Sequence, residues 1–285
     1  MSEVTSLEGS WVEAPSRRVF SYRIWRPKTP STLLVIVHGF GEHSGRYVPF
    51  ADTLAGQGIC VAAPDLWGHG RSGGSRGDVG SVSQCVTSLQ AMTQQVLLPE
   101  SGQMTYGVFG HSFGGLVAIQ WAMHQSRPLQ RVVVQSPLLE VGFPIPRWKK
   151  IAASLFARCW PTATLATGLD VRDLSHDPRV VQAYQTDPLV HSAMSARTYQ
   201  SILQSRDDAL RRAETIRVPV LLLYGTEDRM ISVGAAQRWF DRLRCEKRCV
   251  AFPGCFHELH HEPVQGDVSQ LVRDWVLAGQ QGRTP

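Results

Sequence analysis

Short apolar segments alternate with helical segments along most of the 285-residue chain. Residues 32–37 form a nearly continuous Leu/Val/Ile run, which is typical of a strand buried on both faces. Residues 17–25 alternate apolar and polar side chains, which indicates an earlier antiparallel strand. Repeated strand–helix alternation predicts an α/β fold with a mostly parallel central sheet and helices on both faces. The further predicted strands are 59–63, 105–109, 131–135, 218–224 and 248–252, and the predicted helices are 47–56, 82–98, 114–124, 233–243 and 264–277.

The alternation pauses between residues 138 and 214, where helices and loops are predicted but no strand. An insertion without strands at one edge of a parallel sheet is expected to cover that edge. We therefore predict a core formed by residues 1–137 and 215–285, and a helical cap formed by residues 138–214.

The segment GHSFG, residues 110–114, matches the pattern G-x-S-x-G. A predicted strand precedes it and an apolar helix follows, which is the context in which a nucleophilic serine stands on a tight, strained turn. Glycine is needed there because a side chain would clash where the strand and the helix nearly touch. The helix N-terminus would also stabilise negative charge developing nearby. Ser112 is the candidate nucleophile, and its alternative role is a simple helix N-cap.

A serine hydroxyl is a poor nucleophile at neutral pH and needs a base that is oriented by a carboxylate. These partners are expected in the order acid and then histidine, each in a loop after a strand. Asp228 is the candidate acid, with the adjacent Glu227 as the alternative. His257 follows the last predicted strand, whereas His260 and His261 fall closer to the final helix. The predicted catalytic residues are Ser112, Asp228 and His257.

Acyl transfer also needs backbone donors for the oxyanion of the transition state. One donor is expected to be the N–H of Phe113, which directly follows the nucleophile. The other is expected from the loop HGFGEHSGRY, residues 38–47, where we assign the N–H of Phe40. The two phenyl side chains are expected to flank the acyl site.

Cys245, Cys249, Cys255 and His257 lie close in sequence and raise the question of a metal site. Their spacing lacks the paired C-x-x-C of a structural zinc site. Cys249 falls in a predicted strand, where it would be a small core residue. We therefore expect no metal and no other cofactor.

The formal net charge is +5 and the isoelectric point is about 9.0. No block of Lys and Arg residues forms a nucleic-acid patch, so no nucleic-acid partner is expected. A mildly basic surface is compatible with weak attraction to anionic lipid. The N-terminus does not resemble a signal peptide, and no apolar run approaches the roughly 18–20 residues of a membrane span, which favours a cytoplasmic protein. The oligomeric state does not follow from the sequence.

Five segments resemble the monoglyceride lipase/lysophospholipase branch of the α/β-hydrolases: HGFGEHSGRY, PDLWGHGRSGG, GHSFGG, GTEDRMIS and CFHELHHE. The resemblance extends from about residue 18 to residue 275. It implies the α/β-hydrolase fold, a Ser112–His257–Asp228 triad, and hydrolysis of monoacylglycerols or similar lipid monoesters without a cofactor. Phe113 stands where this family often has Met, and Phe40 where it often has a small residue, which affects the expected acyl pocket.

Other activities are compatible with the same catalytic groups. The alternatives are a general carboxylesterase, a lysophospholipase, a thioesterase, a carbon–carbon bond hydrolase, or a catalytically silent binding protein on this fold.

The resemblance also implies that the cap shapes an apolar acyl tunnel. Within the cap, Trp148, Ile151, Leu155 and Phe156 recur at helical spacing, which predicts an amphipathic helix. We expect this face to line the acyl pocket and to contact a membrane surface transiently. The alternative is a helix that only packs against the core.

Overall fold

An eight-stranded sheet runs through the centre of the computed structural model, which describes residues 4–124, 128–144, 146, 151 and 155–278. The strands are β1 (Val4–Glu13), β2 (Arg18–Pro27), β3 (Thr32–Val37), β4 (Ile59–Pro64), β5 (Tyr106–His111), β6 (Leu129–Gln135), β7 (Thr164–Ala166), β8 (Ala193–Ser195), β9 (Val220–Gly225) and β10 (Lys247–Phe252). The spatial order is β1-β2-β4-β3-β5-β6-β9-β10. The pairs β1–β2 and β2–β4 are antiparallel, and the other five pairs are parallel. The predicted fold class is confirmed.

Helices cover both faces of this sheet. The helices of the described chain are α1 (Val48–Gly56), α2 (Val82–Met92), α3 (Leu98–Ser101), α4 (Phe113–Met123), α5 (Pro178–Thr186), α6 (Ala196–Arg211), α7 (Val233–Arg242) and α8 (Gln265–Ala278), and residues 155–159 are also helical. The predicted helix 82–98 is interrupted by a π-helical turn at Thr93–Leu97. No helix in the described part of the chain is long and apolar enough to cross a membrane.

The apolar run of β3 is explained by its central position in the sheet. Leu33, Val35 and Val37 join the apolar cluster on one face, and Leu34 and Ile36 join the cluster on the other. Successive side chains of a strand point to opposite faces, so a central strand covered on both sides needs apolar residues at every position. The N-terminal β1 was not among the predicted strands, and at the edge of the sheet it is largely exposed.

The segment predicted as a cap departs from expectation in one respect. We expected no strand between residues 138 and 214, but β7 and β8 pair antiparallel there in a small second sheet. Each has only three residues, which is too short for an apolar/polar alternation to be recognised in the sequence. Helices were expected in this segment without bounds, and α5 and α6 lie within it. The division into core and cap stays a prediction.

Cys249 was expected to be a small core residue, and this expectation was wrong. It is exposed on β10, the strand at the far edge of the sheet. A strand position is buried only when a layer packs on its face, and most of β10 lacks one.

Candidate active site

Ser112 occupies the sharp turn between β5 and α4. Its backbone has φ 53° and ψ −115°, a region that residues other than glycine rarely adopt and that costs about 1–3 kcal/mol. The N–H of Ser112 donates to the carbonyl of Gln135 at 3.0 Å, and the N–H of Leu138 donates to the carbonyl of Ser112 at 2.9 Å. Hydrogen bonds to the end of β6 and to the loop that follows it therefore hold the strained turn in place.

The two glycines of the G-x-S-x-G pattern are required by close backbone approach. A Cβ on Gly110 would clash with the carbonyl oxygen of Gly114, and a Cβ on Gly114 would clash with the carbonyl oxygen of Val37. The pattern thus reflects strand–helix contact, as the sequence predicted.

Asp228 and His257 form a buried pair. The Nδ1–H of His257 donates to Asp228 Oδ2 at 2.7 Å. The other carboxylate oxygen, Oδ1, accepts from the N–H groups of Met230 and Ile231 at 2.9 and 3.1 Å. All the polar contacts of this carboxylate therefore favour its charged form and fix its orientation. The alternative acid, Glu227, is exposed.

The pKa values of the pair move in opposite directions. Burial by itself would raise the pKa of Asp228, but the charge and hydrogen bond of His257 and the N–H of Ile231 lower it below 3.8. Burial by itself would lower the pKa of His257, but Asp228 outweighs burial and raises it above 6.5. The pair thus favours protonation of the His257 imidazole and the ionised carboxylate of Asp228.

Ser112 and His257 line the same cavity, which has a volume of about 360 Å³. The wall is mainly apolar. It is formed by the loop after β6, by residues around β7 and β8, and by one face of α6, with members that include Leu138, Leu139, Val141, Leu165, Leu169, Met194, Tyr199, Ile202 and Leu203. An apolar cavity that reaches a serine and a histidine suits an acyl chain with a reactive carbonyl at one end.

The loop after β3 lies at the same cavity. The Gly39 N–H donates to Glu42 Oε1 at 2.5 Å, and the Gly39 carbonyl accepts from His38 Nδ1 at 2.7 Å. Phe40 is on the cavity wall, but the fully buried Phe113 side chain is not among the lining residues. The two rings pack edge to face, 5.6 Å apart. Since Phe113 is the first residue of α4, its N–H has no acceptor within the helix.

A buried ion-pair network extends from this loop to Glu258, and it was not predicted from the sequence. Arg46 bridges Glu42 Oε2 at 2.5 Å and both oxygens of Glu258 at 2.6 and 2.8 Å. Tyr47 donates to Glu42 at 2.8 Å, and His261 donates to Glu258 at 2.8 Å. Burial alone would raise the pKa of Glu258, but Arg46 and His261 hold it well below 4.5. No spacing in the sequence connects Glu258 with Arg46, which lies 212 residues earlier.

The alternative histidines belong to the surroundings of this network. His260 is fully buried and stacks on Tyr47 at 4.6 Å. Among the described residues, Glu258, His260 and His261 form the only group of three potential metal ligands. Since Arg46 already occupies both oxygens of Glu258, the group is satisfied by an ion pair and does not suit a cation.

The predicted cap residues do not meet at the cavity. Ile151 and Leu155 are 62% and 61% exposed, Phe156 is 37% exposed, and none of them is a lining residue. Trp148 lies outside the described residues. The helix that does contribute to the wall is α6, whose lining residues Tyr199, Ile202, Leu203 and Arg206 recur at helical spacing. That periodicity was visible in the sequence and would have found them.

Fold and cavity together define a serine hydrolase of the α/β-hydrolase fold. The sequence model of the Hydrolase_4 family, described as serine aminopeptidase S33, matches residues 28–264, and the chain belongs to this family. It is 30% identical over 260 residues to human monoglyceride lipase, covering 89% of this chain and 85% of the relative. The crystal structure of monoacylglycerol lipase from Paleococcus ferrophilus is similar, with a TM-score of 0.81, 31% identity and coverage of 97% and 99%.

One further relative is much longer. The chain is 29% identical over 266 residues to an uncharacterized abhydrolase domain-containing protein of Dictyostelium discoideum, and it spans 28% of that protein's length. A domain similar to this chain therefore also occurs within a larger protein. The family match and the likeness to monoglyceride lipases make the chain a serine ester hydrolase.

Proposed function

We propose that the protein hydrolyses monoacylglycerols or similar neutral lipid monoesters through a Ser112–His257–Asp228 triad. The observation that carries the proposal is the 2.7 Å bond between His257 and Asp228 at a cavity that His257 shares with Ser112. In this mechanism His257 Nε2 takes the proton of Ser112 Oγ as the oxygen attacks the ester carbonyl. Asp228 keeps Nδ1 protonated and stabilises the imidazolium that forms.

The tetrahedral intermediate would place its oxyanion at the N–H groups of Phe40 and Phe113. A single donor of this kind is worth about 3–4 kcal/mol of transition-state stabilisation. The proton on His257 then passes to the departing glycerol oxygen, and the acyl group stays on Ser112 Oγ. Water, deprotonated by His257, attacks the acyl-enzyme and releases the fatty acid.

The charges on the wall favour a neutral headgroup over a phosphate-bearing one. Three acidic residues, Glu42, Glu140 and Glu258, and one arginine, Arg206 on α6, are among the described lining residues, whereas Arg46 is not a lining residue. A lysophospholipid would bring an anionic phosphate towards these carboxylates, and like charges at low local dielectric repel strongly. A glycerol headgroup carries no charge and avoids this repulsion.

We further propose transient contact with a lipid surface through the predicted cap. Exposed apolar side chains cluster at Ile151, Leu155, Phe156 and Trp160, and the basic residues at 149 and 150 precede them in sequence but lie outside the described residues. Apolar side chains beside cations suit an anionic membrane interface. The cap boundaries 138 and 214 and a cytoplasmic location stay predictions.

Two measurements test the function together. Fluorophosphonate labelling is expected to mark the wild type and to leave Ser112→Ala unmarked. Hydrolysis of 1-oleoylglycerol is expected to exceed that of oleoyl lysophosphatidylcholine and to disappear in Ser112→Ala. Labelling without 1-oleoylglycerol hydrolysis would indicate a serine hydrolase with another substrate. Absence of labelling in folded protein would contradict the role of Ser112 as nucleophile.

A further inference from the structure

The loop that carries His257 is bonded to a segment of the predicted cap. The N–H of His257 donates to the carbonyl of Asp173 at 3.4 Å, and the N–H of Glu258 donates to the carbonyl of Leu174 at 2.9 Å. Asp173 and Leu174 belong to the short helical turn before α5, within residues 138–214. The backbone at the proposed catalytic base is therefore held from the cap side.

The next two residues of the same segment anchor the end of that loop. Ser175 Oγ donates to the carbonyl of His261 at 3.0 Å. The carboxylate of Glu262 accepts from the N–H of His176 at 2.9 Å and from His176 Nδ1 at 3.0 Å. The side chain of Glu262 is 1% exposed, so it is a buried anchor with two donors from one cap residue.

The segment also contacts the neighbour of Asp228. Asp173 forms an ion pair with Arg229 at 3.6 Å. Arg229 lies over the ring of Phe256 at 5.4 Å, and the ring of His176 stacks on the same Phe256 ring at 3.7 Å. Residues 173–176 thus contact Arg229, which follows Asp228, and Phe256, which precedes His257.

We infer that residues 173–176 act as a clamp that positions His257, and that Glu262 is a positioning residue for the reaction. The inference rests on the proposed role of His257 as the base. Losing the anchor would let the His257 loop shift, and a displacement of about 1 Å in a reacting group can cost on the order of 10²-fold in rate. The predicted cap would then contribute to the chemistry itself as well as to substrate binding.

The test compares Glu262→Ala with Glu262→Gln on p-nitrophenyl acetate, whose acyl group does not need the apolar wall. Glu262→Ala is expected to lower kcat about 10- to 10²-fold with little change in KM. Glu262→Gln keeps an oxygen acceptor for the His176 N–H and is expected to recover most of the rate. Glu214→Ala, at an exposed ion pair with Arg242, is the control and should match the wild type.

A structural readout separates positioning from general loss of stability. The proton between His257 and Asp228 is expected to give a downfield ¹H NMR resonance that broadens or shifts in Glu262→Ala while the melting curve stays cooperative. An unchanged kcat and resonance in folded Glu262→Ala would overturn the inference. If that variant does not fold, Ser175→Ala replaces it, with the buried helical Ser269→Ala as its control. Wild-type kcat in Ser175→Ala would then overturn it.

Failure of this inference can be distinguished from failure of the proposed function. If the wild type neither hydrolyses esters nor reacts with a fluorophosphonate, the function fails, whereas the resonance of the His257–Asp228 pair still reports whether Glu262 positions His257.

Discussion

His38 and Gly39 are joined by a 2.7 Å hydrogen bond from the imidazole Nδ1–H to the carbonyl oxygen of the next residue. That carbonyl belongs to the same peptide unit as the N–H of Phe40, so the bond fixes the plane of the proposed oxyanion donor. His38 Nε2 accepts from the N–H of Leu66 at 3.0 Å, which requires a neutral ring. Burial, despite nearby carboxylates, lowers the pKa of His38 below 6.5 and keeps it neutral while His257 titrates.

Replacing His38 is therefore expected to act on catalysis more than on binding. His38→Ala should lower kcat about 10- to 10²-fold with a smaller change in KM, because the donor to the oxyanion loses its fixed orientation. Steady-state kinetics with p-nitrophenyl butyrate measure this. His124→Ala, an exposed histidine that bonds a backbone carbonyl in α4, serves as the control. A pure KM effect in His38→Ala would contradict the role.

Removing the nucleophile should separate activity from stability. Ser112→Ala is expected to lower kcat by about 10⁶-fold with an unchanged melting temperature, because the strained backbone stays the same. Ser112→Gly should be equally inactive but more stable, by about 1 kcal/mol, because glycine relieves the strain at positive φ. Thermal denaturation of the two variants checks this. Equal stability of both would show that the turn is not strained.

The pH dependence of activity follows from the Asp228–His257 pair. A base must be unprotonated, so kcat/KM should rise with pH through the raised pKa of His257, above 6.5. Asp228→Asn should lower that pKa and reduce kcat about 10⁴-fold, whereas Glu227→Gln should change neither. Rate–pH profiles of the three proteins decide this, and the reverse result would move the acid to Glu227.

The Asp228–His257 pair also makes the free energy of unfolding depend on pH. For His257, stability falls as pH rises, whereas activity rises. Its raised folded pKa stabilises the protein fully below 6.5, and this contribution is lost as pH rises through the folded value. The lowered pKa of Asp228 contributes above 3.8 and is lost as pH falls through its folded value. The pair therefore stabilises most in mildly acidic solution, where activity is falling.

The buried ion-pair network should be important for stability. Arg46→Met leaves Glu42 and Glu258 buried without their cation and is expected to cost about 3–5 kcal/mol. Urea denaturation measures the loss. Arg179→Ala, which breaks a solvent-exposed pair with Asp177, is the matched control and should have little effect. Similar losses in both variants would contradict the importance of burial.

The apolar wall should determine the preferred acyl length. Leu203→Trp on α6 is expected to lower kcat/KM for p-nitrophenyl dodecanoate about 10-fold or more, because the indole ring occupies part of the cavity. The kcat/KM for p-nitrophenyl acetate should not change. Leu155→Trp, at an exposed position off the wall, should leave the ratio of the two rates unchanged. A changed ratio in Leu155→Trp alone would restore the predicted role of that helix face.

The sequence predicted the parts of this site that depend on local chain geometry. Ser112 follows a strand within a glycine pattern, and Asp228 and His257 each follow their own strand, so their loops fall at one edge of a parallel sheet. Such placement follows from chain order alone. The predicted roles of these three residues still await the experiments above.

What the sequence did not predict depends on contacts between distant segments. Glu258 and Arg46 are separated by 212 residues, and neither pattern nor periodicity connects them. The predicted cap helix was selected for its apolar stripe, yet Ile151 and Leu155 are exposed while α6 forms part of the wall. Amphipathic spacing identifies a face that needs a partner but does not identify the partner.

The position of α6 allows mutations to change the shape of the cavity without changing the reacting groups. Its lining face borders the cavity, but the helix carries none of the proposed reacting groups. Single substitutions along this face can reshape the cavity by a methyl group or a ring while the turn at Ser112 keeps its backbone. New substrate preferences can therefore evolve gradually along one helix, and the chemistry is inherited unchanged.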